Sequence, residues 1–133
     1  MPERVIVNVD GGARGNPGPA AIAAVAADPD GNVLAERNEV IGETTNNVAE
    51  YRAMLLGIEL AKELGADEVE LLGDSTLIVN QVKGEWKVKQ DHLRPLHTKV
   101  LDELRGLPKW SIAAVRRERN VRADELVNEA LDA

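Results

Sequence analysis

The chain has 133 residues, no cysteine, 16 basic and 23 acidic side chains, and a formal net charge of −7. A chain of this length can be held by one hydrophobic core, so we expect a single domain over residues 1–133. The absence of cysteine excludes disulfides, zinc–thiolate sites, iron–sulfur clusters and a cysteine nucleophile. The longest apolar run, residues 19–27, is too short for a membrane span, and the N-terminal residues lack a signal-peptide layout. We therefore expect a cytoplasmic protein with no membrane partner.

The first third of the chain carries strand signals. Residues 5–9 are mostly β-branched, which is typical of a buried strand, and this strand is predicted to end at residues 10–12. Residues 20–27 are rich in alanine, but flanking prolines and their short length favour a strand over a helix. A turn at residues 28–32 leads to a third strand over 33–41. These segments predict an antiparallel meander.

Helix and strand signals alternate in the rest of the chain. Apolar residues at three- and four-residue spacing predict a long helix that starts after residues 44–47 and stops at Gly65. The later segments are a strand over 69–73, a helix from Ser75 to Lys83, a helix over 93–104, a strand over 110–115 and a helix over 123–131. Because strand–helix–strand crossovers are right-handed, the predicted fold is α/β, with a five-stranded mixed sheet and helices on both faces.

Four acidic residues occupy special places in this fold. Asp10 and Asp74 each follow a predicted strand, and the carboxyl ends of neighbouring parallel strands are where α/β sheets form their sites. Glu50 lies in the first turns of the long helix, on the side that packs against the sheet. Asp124 opens the last helix, where the helix dipole favours a carboxylate. Taken singly, each acid is also compatible with a turn, a helix start or a solvated surface position.

Converging carboxylates repel one another and stay ionised together only around a cation. Oxygen ligands without histidine or cysteine favour magnesium or manganese. A pair of such ions suits the hydrolysis of a phosphodiester, since one ion activates water and the other stabilises the leaving oxygen. The joint pattern therefore predicts a metal-dependent hydrolytic site.

Four segments resemble the motifs of type 1 ribonuclease H, a family within the ribonuclease H-like fold. They are residues 10–19, 44–51, 73–75 and 120–126, and they occur in the family's order over nearly the whole chain. The resemblance implies that Asp10, Glu50, Asp74 and Asp124 are catalytic and hold two Mg²⁺ ions, with Mn²⁺ as a substitute. It implies a nuclease that cuts the RNA strand of RNA–DNA hybrids and leaves 5′-phosphate and 3′-hydroxyl ends.

The same resemblance implies a set of substrate-binding residues. Asn16 and Asn47 match asparagines that read the minor groove of the hybrid, Thr45 and Asn46 match positions that hold a DNA-strand phosphate, and Gly11 joins this set. Short amides can donate to and accept from the 2′-hydroxyls of the wide minor groove. The Thr–Asn run is equally compatible with a helix N-cap, and the two roles are not exclusive.

The loop before the last helix departs from the family pattern because it contains no histidine. Residues 116–121 instead carry three arginines and a glutamate, of which Arg117, Glu118 or Arg119 could stand in for the missing side chain. Together with Arg122, these arginines form a basic group that either contacts phosphates of a nucleic acid or is a solvated edge of the sheet. The two histidines, His92 and His97, are interpreted as structural or surface residues.

Some members of the family have a basic insertion that binds the hybrid. The corresponding residues 83–94 have only a small excess of basic over acidic side chains, so we expect little hybrid binding by this segment. Trp86 in this segment is expected to pack in the core, with a place beside the DNA strand as the alternative. Two further functions stay open: a non-catalytic hybrid- or RNA-binding module, and a related nuclease that also accepts double-stranded RNA. A monomer is expected, because no exposed apolar stripe stands out.

Overall fold

The computed structural model describes residues 3–133. Three strands open the chain: β1 (Arg4–Ala13), β2 (Gly18–Ala27) and β3 (Val33–Thr44). The remaining regular structure is α1 (Asn46–Glu63), β4 (Glu68–Gly73), α2 (Thr76–Lys83), α3 (Arg94–Leu104), β5 (Lys109–Ala114) and α4 (Val121–Asp132). Single 3₁₀ turns at Asp91–Leu93 and Arg117–Arg119 precede α3 and α4. This order confirms the predicted sequence of strands and helices.

The strands form one mixed sheet in the order β3-β2-β1-β4-β5. β1 pairs antiparallel with β2, and β2 pairs antiparallel with β3. β4 pairs parallel with both β1 and β5. The meander and the parallel crossovers are therefore confirmed, and β1 and β4 are neighbours whose carboxyl ends lie at the same edge of the sheet.

Helices cover both faces of the sheet, as predicted. α1 packs on the face that carries Val7 and Val9, and it approaches closely at Gly57, where an added Cβ would lie 2.5 Å from Val9 Cγ1. On the opposite face, α4 places Leu126 and Val127 against the small side chains of β2. The alanines of β2 let both helices sit close to the sheet, so the ends of α1 and α4 reach the carboxyl end of β1.

Side-chain caps fix where two of the helices begin. Thr45 Oγ1 accepts a hydrogen bond from the Val48 amide at 3.3 Å, and Ser75 Oγ accepts one from the Ile78 amide at the same distance. Each bond satisfies an amide that the first helical turn would otherwise leave unpaired. The N-cap interpretation of Thr45 is confirmed, and so is the helix start at Ser75.

The first strand runs further than the sequence predicts. β1 continues through Asp10 and the two glycines to Ala13, because all four residues pair with the alanine-rich start of β2. Its parallel ladder with β4 ends earlier, at the Val9–Gly73 pair. The predicted end of β1 at residues 10–12 is therefore wrong, because the strand continues to Ala13. The parallel pairing of β1 with β4 does stop just before these residues, so Asp10 lies one residue beyond it.

The expected core position of Trp86 is wrong, since the residue is 49% exposed and lies in the turn that follows α2. It lines a surface groove with Leu77 and Lys87 instead. His97, by contrast, is structural as expected: its Nε2 lies 2.9 Å from the Gln81 carbonyl oxygen and its ring stands edge-on to Tyr51. Across residues 3–133, no helix is both long and apolar enough to cross a bilayer.

Candidate active site

The four predicted acidic residues line one open cleft at the carboxyl ends of β1 and β4. One carboxylate oxygen from each of Asp10, Glu50 and Asp74 lies within 4.8 Å of the other two. Asp124 enters the same cleft from the first turn of α4 and lies close enough to Asp10 to influence its ionisation. Residues up to 114 positions apart in the chain are thus brought together by the sheet and two helices.

Gly11 brings the strand and the long helix into contact. Its amide donates to Glu50 Oε1 at 2.6 Å, which fixes the Glu50 carboxylate beside Asp10. A Cβ on Gly11 would lie 2.3 Å from the Ala49 carbonyl oxygen, so a larger residue would push α1 away from β1. The contact identifies Gly11 as a residue that positions Glu50, and its expected substrate contact stays a prediction.

The cleft disfavours charge on its own carboxyl groups. Asp10 is only 7% exposed, and burial, followed by the neighbouring Asp74 and Asp124, raises its pKa to about 7. Burial, and then the charge of Asp10, raises the pKa of Glu50 well above its ordinary value. These carboxylates can be ionised together near neutral pH only if a cation compensates them. Their hard oxygen donors fit a divalent metal ion.

A hydrogen-bonded pair of amide side chains, Asn8 and Asn120, anchors the start of α4 to β1. Asn120 is 1% exposed; its Nδ2 donates to the Val9 carbonyl oxygen at 2.9 Å, and its Oδ1 accepts from Asn8 Nδ2 at 3.0 Å. Asn8 lies two residues before Asp10 in β1, and Asn120 lies four residues before Asp124. Sequence reasoning assigned no role to either residue, although an asparagine in the otherwise apolar run 5–9 was a usable signal.

The expected substrate-binding residues form a hydrogen-bonded run beside the cleft. Asn16 Oδ1 accepts from the Asn46 amide at 3.0 Å, and Asn46 Oδ1 accepts from the Ala13 amide at 2.8 Å. Asn46 and Asn47 line the cleft itself. The run therefore ties the β1–β2 turn to the start of α1. The groove and phosphate roles of these residues and of Thr45 stay predictions.

The four arginines of the basic group go to different places. Arg117 lines the carboxylate cleft, Arg119 lines a separate depression, and Arg116 lines that depression and another one beside Asp74. Arg122 forms a two-pronged ion pair with Glu36 on β3, with nitrogen–oxygen distances of 2.7 and 3.1 Å. This exposed ion pair favours the solvated-edge interpretation of Arg122, and its phosphate contact stays a prediction.

The mixed sheet and its carboxylate cleft define a protein of the ribonuclease H-like class. A protein-family model described as reverse transcriptase-like matches residues 8–130. The crystal structure of RNase H1 from the halophilic archaeon Halobacterium salinarum superposes with a TM-score of 0.94 at 45% identity, covering 97% of this chain and 98% of that one. The chain belongs to the type 1 ribonuclease H family.

Two further comparisons place the chain within this family. Ribonuclease HI of Halobacterium salinarum is 45% identical over 129 residues, which is 97% of this chain and 65% of that protein. The chain thus spans just under two thirds of that curated relative. LC11-RNase H1, solved in complex with an RNA/DNA hybrid, superposes with a TM-score of 0.91 at 46% identity and 96% coverage of both chains.

Proposed function

We propose that this protein is a metal-dependent endonuclease that hydrolyses the RNA strand of RNA–DNA hybrids and leaves 5′-phosphate and 3′-hydroxyl ends. The observation that carries the proposal is the cluster of Asp10, Glu50 and Asp74 in an open cleft, joined by Asp124. Such a cluster costs stability unless it holds cations, so its presence favours catalysis over a purely structural role. Hybrid binding by LC11-RNase H1 supports the choice of substrate.

The residues in and around the cleft would have different roles, which follow from their positions. Asp10, Glu50 and Asp74 would hold two Mg²⁺ ions, for which Mn²⁺ could substitute, and Asp124 would complete the site from α4. Bound metal supplies an activated water and stabilises the charge on the leaving oxygen. The Gly11 amide holds the Glu50 carboxylate in place, and the Asn8–Asn120 pair holds α4 and its Asp124 against β1. Hydrolysis adds the water oxygen to phosphorus and breaks the bond to the 3′ oxygen.

Recognition of the hybrid would use the polar run beside the cleft. Asn16 and Asn47 would contact 2′-hydroxyls and base edges in the minor groove, and the 2′-hydroxyls are the groups that distinguish an RNA strand from DNA. Thr45 and Asn46 would hold a phosphate of the DNA strand, and Gly11 would contact the substrate in the cleft. The amide hydrogen bonds between Asn16, Asn46 and the β1–β2 turn support this proposal, because they hold the run rigidly at the rim of the cleft.

The test is a cleavage assay with labelled RNA–DNA hybrid, duplex RNA and single-stranded RNA, each with and without Mg²⁺ or Mn²⁺. The matched variants are Asp74→Asn in the cleft and Glu70→Gln on the same strand but outside it. We expect metal-dependent cutting of the hybrid, lost in Asp74→Asn and kept in Glu70→Gln. Binding without cutting would instead identify a non-catalytic module, and cutting of duplex RNA would identify a broader nuclease.

Three expectations from the sequence stay predictions at this point: a single domain over 1–133, a monomeric state and a cytoplasmic location. Sedimentation of the purified chain tests the first two together, since a compact monomer has the frictional ratio of one globular unit. The cleft is formed by residues of one chain, so the proposed reaction does not need a second copy.

A further inference from the structure

A buried polar side chain that the proposed reaction does not use lies in the last turn of α2. Gln81 is only 4% exposed. Its Oε1 accepts a hydrogen bond from the Tyr51 hydroxyl at 2.5 Å, and its Nε2 donates to the Lys87 carbonyl oxygen at 3.4 Å. The Gln81 side chain therefore joins α1, at the residue after Glu50, to the segment that follows α2.

The chemistry of the two partners fixes the orientation of the Gln81 amide. Burial raises the pKa of Tyr51 to about 12, so its hydroxyl keeps its proton and donates at neutral pH. A peptide carbonyl oxygen can only accept, so Nε2 is the end of the amide that faces Lys87. Each end of the buried amide thus has a matching partner, which offsets the cost of removing it from water.

Gln81 is one of two side chains that hold the segment after α2. Residues 84–90 form neither a helix nor a strand, and most of their side chains are exposed. Among the residues that the structure describes, the side chains that donate to carbonyl oxygens of this segment are Gln81, to Lys87, and Arg94, to Val88 at 3.3 Å. Arg94 is exposed, so water competes for its partner, whereas Gln81 is buried and is the more persistent attachment.

This segment borders the carboxylate cleft. Asp74 lines the cleft, and Leu77 lies three residues later in the chain. Leu77 lines a surface groove together with Trp86, Lys87 and Lys89, so the groove and the cleft both border the start of α2. A hybrid that is cut at the carboxylates extends past the cleft in both directions. The two lysines offer positive charge to its phosphates, and Trp86 offers an exposed indole ring.

The charge count and the structure differ on this region. The small basic excess of residues 83–94 predicts little hybrid binding, but the structure collects two of the lysines and the exposed Trp86 in one groove. Their placement depends on a backbone without regular structure. The attachment of that backbone at Lys87 therefore decides where the three side chains lie relative to the cleft.

We propose that Gln81 is a positioning residue for hybrid binding, which holds residues 84–90 beside the cleft through the Lys87 carbonyl oxygen. The inference rests on the proposed function. Gln81 itself would not contact the substrate, because its side chain is buried and both ends of its amide are hydrogen-bonded. Its effect would reach the hybrid through the side chains of the segment, and so it would act on binding and not on the chemical step.

The first experiment measures kcat and KM for the RNA–DNA hybrid in Gln81→Met, which keeps the length of the side chain and removes both hydrogen bonds. We expect KM to rise roughly three- to tenfold, the factor that one lost hydrogen bond explains, with kcat within about twofold of the wild type. An interaction that is lost equally from the ground state and the transition state raises KM alone. A fall in kcat with unchanged KM, or no change in either constant, would overturn the inference.

A double variant separates positioning from stability. Gln81→Met leaves the Tyr51 hydroxyl buried without a partner, which lowers the melting temperature. Adding Tyr51→Phe removes that hydroxyl, so the double variant should melt closer to the wild type and still have the raised KM of Gln81→Met. Tyr51→Phe alone keeps the bond to Lys87 and should raise KM by less than Gln81→Met does. If KM returned to the wild-type value together with the melting temperature, Gln81 would be a structural residue only.

Val100→Ala is the control for a general loss of stability. Val100 is fully buried in α3, and its truncation removes apolar packing and no hydrogen bond. The variant should melt at a lower temperature, with KM for the hybrid within about twofold of the wild type. A rise in KM equal to that of Gln81→Met would show that KM follows stability, and it would overturn the inference.

Limited proteolysis detects release of the segment without substrate or metal. Trypsin cuts after lysine, so it can cut the chain at Lys87 and Lys89 when the segment detaches and opens locally. Mass spectrometry should show cutting at these two sites roughly threefold faster or more in Gln81→Met and in the double variant than in the wild type and Val100→Ala. Equal rates in all four proteins would show that Gln81 does not hold the segment.

Failure of the inference is distinct from failure of the proposed function. If the wild-type protein cuts the hybrid and Gln81→Met cuts it with the same KM, only the inference fails. If the wild-type protein cuts no hybrid in either metal, the proposed function fails, and Kd for the hybrid replaces KM in the same set of variants. A weaker Kd in Gln81→Met and in the double variant would then still support the positioning role, and equal Kd values would overturn it.

Discussion

Two acidic clusters lie at opposite ends of the same strands. At the amino end of β4, Glu68 and Glu70 lie beside Arg4 of β1, with nitrogen–oxygen distances of 3.3 and 2.8 Å, and Lys109 of β5 lies 3.6 Å from Glu68. At the carboxyl ends, Asp10 and Asp74 cluster with Glu50, and burial raises the pKa of Asp10. The first cluster is partly exposed and is neutralised by basic side chains of the protein. In the second cluster Asp10 is buried, Glu50 and Asp74 are partly buried, and no basic side chain neutralises the three carboxylates among the residues that the structure describes.

The difference shows what a cluster of acids needs in order to persist in a fold. Basic side chains can neutralise the exposed cluster at little cost, because water still solvates every partner. In the carboxyl-end cluster, burial and then repulsion by neighbouring carboxylates favour the protonated forms of Asp10 and Glu50, and a cation from solution would relieve this. The two ends of the sheet thus separate an ordinary ion-pair network from a site built for a ligand.

The largest contrast is expected in catalysis. Asp10→Asn should lower metal-dependent cleavage of the hybrid by about a thousandfold or more, since the metals it helps to hold supply several kcal/mol of transition-state stabilisation. Glu68→Gln removes the same charge at the other end of the strands and should leave the rate within about twofold. Single-turnover rates at saturating Mg²⁺ measure both; comparable losses would remove the distinction between the two clusters.

Two adjacent glycines offer the next contrast. Gly11→Ala should lower the free energy of unfolding by about 1–3 kcal/mol and reduce activity, because its Cβ would overlap the Ala49 carbonyl oxygen and displace Glu50. At Gly12 the nearest atom to an added Cβ is Val127 Cγ1 at 4.0 Å, so Gly12→Ala should be nearly neutral. Urea unfolding and cleavage assays compare the two variants. If Gly11→Ala changed neither stability nor activity, the close approach of β1 to α1 at Gly11 would be contradicted.

The pH dependence of stability should differ between the clusters in the metal-free protein. The pKa of Asp10 is about 7 in the folded state, against 3.8 for an unperturbed group, so the folded state binds more protons between these values. Stability should therefore be greatest near pH 4 with respect to this group and fall as the pH rises to 7. Melting curves in chelator should show this fall weakened in Asp10→Asn and unchanged in Glu68→Gln; a flat wild-type profile would contradict it.

The smallest effect is expected at the neutralised cluster itself. Arg4→Ala should cost about 1 kcal/mol or less, because its ion pairs are partly exposed and screened by solvent. The cost should shrink as salt rises from low to molar concentration. Urea unfolding at two ionic strengths measures this, and a large, salt-independent loss would show that the network is more than a surface feature.

The sequence predicted the strands, the helices and the four carboxylates because these features are local. Apolar spacing marks α1 and α4, and short motifs carry Asp10, Glu50, Asp74 and Asp124. The extension of β1 through Gly11 and Gly12 could not be read in this way. Glycines disfavour strands locally, and only pairing with Ile22 and Ala21 of β2 keeps them extended.

The remaining features depend on contacts between distant residues. Asn8 and Asn120 are 112 residues apart, and Glu36 and Arg122 are 86 apart, so no local pattern joins them. The position of Arg117 at the cleft depends on the path of the loop between β5 and α4. The exposure of Trp86 likewise depends on the path of the turn that follows α2. The identity of the candidate site was therefore predictable, whereas the contacts that hold and flank it required the structure.

The most direct test of the account is the melting temperature of the wild-type protein as Mg²⁺ is raised from zero to 10 mM at pH 7, beside Asp10→Asn and Glu68→Gln. If the carboxyl-end cluster is built to hold a divalent ion, Mg²⁺ should raise the melting temperature of the wild-type protein and of Glu68→Gln by several degrees. The rise should largely disappear in Asp10→Asn. An equal rise in all three proteins, or none in the wild type, would contradict the assignment of this cleft as a metal site.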